Sequence, residues 1–100
     1  MMYFNNVAEV ERFVLNQVDK AKECGANLII LDDETQPYLF DVLFYLMDAK
    51  TLAPKGEFET FKSNLEKMGF KVTYQRRYYT FDLKTQKSVS YPATLYINIK

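Results

Sequence analysis

Leu28-Ile29-Ile30-Leu31 is the stretch that most constrains the fold. Four large apolar residues in a row do not alternate, and a strand apolar on both pleat faces calls for cover on both. Helical patterns flank the run and a long β pattern follows later, so it reads as the central buried strand on which the rest packs.

The segment before it is one face of a helix. Val7, Val10, Val14, Val18 and Ala21 recur at steps of three and four, and Phe13 widens the stripe. Asn6 is placed to cap the N-terminus with Glu9 three residues on, and Gly25 to stop the helix. Cys24, in its last turn, reads as a small packing residue.

After the central strand, Thr35-Gln36-Pro37 opens a second helix, with Thr35 as cap and proline in the first turn. Its residues from Tyr38 to Met47 are apolar nearly all round; only Asp41 and Asp48 mark a wet edge. Such a helix is buried on most sides or presents a dimer face through residues 38–47. Residues 51–56 form a connector broken by Pro54 and Gly56, and a third helix carries Phe58, Phe61, Leu65 and Met68, closed by Gly69.

The last third is β. Phe70, Val72 and Tyr74 alternate with polar residues; then the phase changes, and Tyr79, Phe81 and Leu83 become the apolar set. The switch falls at Arg76-Arg77. With no Gly, Asn or Pro beside it, it predicts a bulge in one long strand rather than a turn between two short ones. Lys84–Ser88 is a polar turn, and Val89–Ile99 alternates cleanly, with Pro92 arguing for an edge or bulge in its early part. The expected architecture is one α+β domain over residues 1–100, with three helices on a small mixed sheet in the order α-β-α-α-β-β. It ends in an antiparallel hairpin of Phe70–Leu83 with Val89–Ile99.

Composition narrows the chemistry. Histidine is absent, which removes the commonest general base and metal ligand, along with Ser-His and Cys-His nucleophile pairs. One cysteine allows no internal disulfide, so a reducing cytoplasm is the expected setting. The N-terminus lacks the basic and apolar regions of a signal peptide, and no run is long enough to span a membrane. Net charge is zero but unevenly spread, with residues 1–61 at −6 and residues 62–100 at +6. Such a split fits an anionic partner for the basic half, head-to-tail self-association, or two halves that interleave in space.

Two constellations could carry function. Asp32-Asp33-Glu34 ends the apolar strand. With the strand before it and the helix after, it resembles over about fifteen residues the first strand and acidic pair of response-regulator receiver domains, an arrangement that implies Mg²⁺ binding. A receiver's later strand ending in aspartate does not follow here, and the residue-level reading is an acidic strand end favouring the next helix's N-terminus. The second constellation is the basic, aromatic β region: Lys71, Tyr74, Arg76, Arg77, Tyr78, Tyr79, Lys84 and Lys87. Arg and Tyr dominate interface hot spots, and cations interleaved with rings suit phosphate contact with stacking.

The order helix, strand, helix, helix, hairpin resembles a winged-helix domain, with Leu65–Phe70 similar to the end of its recognition helix and the start of its wing. That resemblance implies nucleic-acid binding. The third helix, however, carries Glu57, Glu59 and Glu66 against Lys62 and Lys67, a poor balance for lying on phosphates.

The sequence therefore predicts a small non-catalytic cytoplasmic binding protein without cofactor or metal. An inhibitor or adaptor fits, including the kind that phages and other mobile elements encode. It would act by occluding a partner's acidic or phosphate-binding surface through Arg76, Arg77, Tyr78, Tyr79, Tyr74, Lys84 and Lys87. Nucleic-acid binding by the same hairpin is the alternative.

Overall fold

The computed structural model describes residues 3–45 and 57–99. In chain order these form α1 (Val7–Glu23), β1 (Leu28–Asp32), α2 (Pro37–Phe40) running into a π-helical turn (Asp41–Tyr45), α3 (Phe58–Lys67), and strands β2 (Lys71–Gln75), β3 (Tyr78–Asp82), β4 (Lys87–Tyr91) and β5 (Thr94–Asn98). The predicted connector at 51–56 and the end of the second helix lie outside the described residues.

Local chemistry fixes both long helices. The Asn6 side chain accepts from the Glu9 amide at 3.0 Å, and Glu9 accepts from the Asn5 amide at 2.8 Å, closing the α1 N-terminus. Its C-terminus turns on Gly25, at φ 76°, so that the Ala26 amide reaches the Ala21 carbonyl at 2.8 Å and the Gly25 amide reaches Lys22 at 3.1 Å. Helix α3 stops the same way on Gly69, at φ 98°, with Phe70 bonded to Leu65 and Gly69 to Glu66. This pair of bonds satisfies the last carbonyls and turns the chain directly into a strand. Asn64 donates to Glu11 at 2.7 Å, tying α3 to α1.

The second helix begins differently from expectation. Its N-cap is Gln36 and makes no side-chain bond. Instead, Asp32 accepts from the Glu34 and Thr35 amides at 3.0 and 2.8 Å, organising the turn before Pro37. Leu39 and Phe40 of α2 and Val42 and Leu43 of the π-helical turn are all buried. These four residues belong to the core, which leaves them no part in a dimer face; residues 46 and 47 lie outside the described segment.

Strands β1, β5 and β2 make one sheet in that order, and β3 and β4 make a separate two-stranded ribbon. Every pairing is antiparallel, so the expected mixed sheet is corrected to two antiparallel ones. The place of β1 is corrected too. It is an edge strand, and β5 is the centre, with Ile97 opposite Ile29 on one side and Val72 on the other.

Among the described residues, only one face of the sheet is covered. Ile29 and Leu31 join Val10, Val14, Val18, Phe61, Leu65, Val72, Leu95 and Ile97 in the core. Leu28 and Ile30, on the other pleat, are 44% and 59% exposed. An apolar run states what a strand can bury; here no described element lies on the second face.

The long hairpin is interrupted, not bulged. Gln75 faces Thr94 and Tyr78 faces Tyr91, so each strand advances three residues between the two pairings and neither has an insertion. Arg76-Arg77 and Pro92-Ala93 simply leave the ladder. Pro92 has no amide to give, and the Ala93 carbonyl accepts instead from the amide of Asp33, the residue after β1, at 3.1 Å. Beyond this joint the ribbon leaves the body of the protein.

Candidate binding surface: the β3–β4 ribbon

All ten residues of β3 and β4 are exposed. Five cross-strand pairs hold them, and a four-residue turn, Leu83–Gln86, closes the tip. There the Gln86 amide bonds the Asp82 carbonyl at 2.7 Å, and the Asp82 carboxylate accepts from the Lys84 amide at 2.9 Å. Gln86 takes the left-handed conformation, φ 55°, that such a turn needs.

The register sorts the side chains onto two faces. Tyr78, Tyr91, Thr80 and Val89 share one, where the two tyrosine rings stack at 4.7 Å and cover each other. Tyr79 and Phe81 share the other with Ser88 and Ser90, and Leu83 follows at the tip. Opposite small serines Tyr79 and Phe81 have little to lean on, and Leu83 sits in the turn: they are 69%, 60% and 82% exposed. This is a protruding apolar patch with charge around it. No described ion pair engages Arg76, Lys84 or Lys87.

Arg77 plays another part. One guanidinium nitrogen donates to Asp33 at 2.9 Å and the other to Ser90 Oγ at 3.0 Å. The side chain thereby links the end of β1 to β4 across the joint where the ladder lapses. The Asp33 hydrogen bond and charge hold Arg77 above its ordinary pKa. A cation whose folded pKa is raised contributes below its unfolded value and loses that contribution only as pH rises through the raised one, far into alkali. The clamp is therefore insensitive to base over the working range.

The sequence-predicted residues thus divide. Tyr78, Tyr79 and Lys87 lie on the ribbon, Lys84 at its tip and Arg76 at its root. Arg77 sits at the root as a clamp. Tyr74 is apart from them, half-buried in β2 and stacked on Phe44 at 4.2 Å beside Phe58. Phe81 and Leu83, outside the predicted set, are the residues the structure adds. Their signal was the phase switch after Arg77, which placed them with Tyr79.

Other regions offer less. Asp32 and Asp33 are engaged in a turn and an ion pair, and no described cluster of three Cys, Asp or Glu side chains is arranged for a metal. Cys24 is exposed rather than packed. No described helix is long and apolar enough to cross a membrane. A cleft of about 340 Å³ between Tyr3-Phe4 and the Glu9–Lys20 flank of α1 brings no nucleophile next to a base. No protein-family model, curated protein or solved structure matches this chain.

Proposed function

We propose that the protein is a binding module whose β3–β4 ribbon docks on a partner protein and occludes the surface it covers, as an inhibitor or adaptor does. One observation carries this reading: a two-stranded ribbon bears Tyr79 and Phe81 on one face, with Leu83 at the tip just beyond them, and buries none of the three. An isolated hairpin is marginal in water, and large apolar side chains grouped outside the core mark contact sites. Arg76, Lys84 and Lys87 outnumber Asp82 on the same element, favouring an acidic target. The triple variant Tyr79→Ser, Phe81→Ser, Leu83→Ser is the test. It keeps the melting temperature, because no packing is removed, and loses capture of the partner from host extract. Capture equal to that of the parent protein refutes the reading.

Nucleic-acid binding is the second reading. The order of elements that resembles a winged-helix domain includes here a ribbon between β2 and β5, where a wing would stand, with Arg76, Lys84 and Lys87 engaged by no described ion pair. Three phosphate contacts would give a log–log salt slope of about −3 on duplex DNA. Absence of binding to random duplex or single strands at low salt removes this reading.

A further inference from the structure

We infer that, without a foreign partner, the ribbon is covered by a second copy of the same chain. Two copies exchange ribbons about a two-fold axis, so that Tyr79, Phe81 and Leu83 of each rest on the open sheet face of the other. The inference builds on the proposed role of the ribbon as a docking element and names its resting occupant.

Both halves of the contact are on one chain. The ribbon offers three exposed apolar side chains with a basic tip at Lys84 and Lys87. The pleat that no described element covers offers Leu28 and Ile30, with Tyr96 directly opposite Ile30; the strip ends at Asp32, and Glu34 follows in the turn after it. Apolar faces apolar, and the cationic tip faces an acidic rim. Charge alone separates this occupant from a basic surface, which the lysines would repel. The uneven division of charge along the sequence has the same sense: Arg77 at the root pairs with Asp33 of the acidic first half, while no described ion pair engages Lys84 or Lys87 at the ribbon's far end. A chain of zero net charge also has no overall repulsion to keep copies apart.

Area decides between one-way and reciprocal exchange. Six large side chains at roughly 100 Å² each bury on the order of 600 Å² in one direction, the size of a lattice contact. Reciprocal exchange doubles this to on the order of 1,200 Å², the lower end for a stable pair. It also closes the assembly, whereas one-way docking would propagate into a filament.

Sedimentation of the whole chain over a range of concentrations tests it. The expected result is a monomer–dimer equilibrium that weakens with salt. Ile30→Lys, on the sheet and off the ribbon, should abolish the dimer while leaving partner capture intact. Lys84→Glu and Glu34→Lys should each weaken it about three- to tenfold, and the double exchange should restore it. A monomer at every concentration overturns the inference and leaves the ribbon's role as docking element standing, since Ile30→Lys and the ribbon serine variant report on different surfaces. A dimer indifferent to both Ile30→Lys and Phe81→Ser overturns it as well.

Discussion

Ile97 and Ile30 are the same residue type on neighbouring strands, and the structure assigns them opposite weights. Ile97 has no exposed surface and sits between Ile29 and Val72 at the middle of the sheet. Truncating it to alanine removes apolar burial and leaves a cavity that three paired strands cannot close, a loss of about 2–5 kcal/mol toward the upper part of that range. Ile30 keeps only about two-fifths of its surface covered. Scaling a full isoleucine burial of about 2–3 kcal/mol by that fraction gives about 1 kcal/mol for Ile30→Ala. A domain this long holds about 5–15 kcal/mol, so the first variant spends a large share of the margin and the second a small one. Urea unfolding in dilute solution, below any self-association, measures both. Equal costs would mean that the second face of the sheet is covered within the monomer, and the reading of Ile30 as lying on an open face would be wrong.

Two further outcomes follow from geometry. Gly69→Ala meets no neighbouring atom, since nothing lies within 4 Å of the added carbon, yet it must hold φ near 98°. The cost is then conformational alone, about 1–2 kcal/mol in a thermal or urea melt, and a neutral result would contradict the left-handed stop between α3 and β2. Asp33→Ala releases Arg77 from the end of β1; it should leave the melting temperature near that of the parent while amides of Tyr78–Tyr91 exchange faster, and unchanged ribbon exchange would deny Arg77 its clamping role.

Much of this could be read from residue order, and the failures have physical causes. Helices α1 and α3 announce themselves because their signals are local: a 3–4 spacing and a glycine at the stop in both, with a capping side chain at the start of α1. The mistake over β1 concerns supply, because an apolar run cannot reveal whether the chain has an element left for its second face. Leu28 and Ile30 are as apolar as Ile29 and Leu31 and differ only in what lies over them. The joint at Arg76-Arg77 was visible as a change of phase, but its cause lies opposite, at Pro92, and pairing is needed to see that both strands pause together. Tyr74 keeps the parity of Val72 and so belongs with the core, whereas Tyr79 falls after the switch and does not. No local pattern could join Arg77 to Asp33, forty-four residues away.

The division of labour between a sheet that folds and a ribbon that binds is tested most directly by excision. Residues 78–91 are replaced with Asn-Gly, leaving Arg77 and Pro92 as the flanks, and unfolding and association are measured on the same sample. A cooperative unfolding transition within about 1 kcal/mol of the parent protein, together with loss of both partner capture and self-association, is the predicted result. A shortened chain that fails to fold, or one that still associates as before, would contradict it.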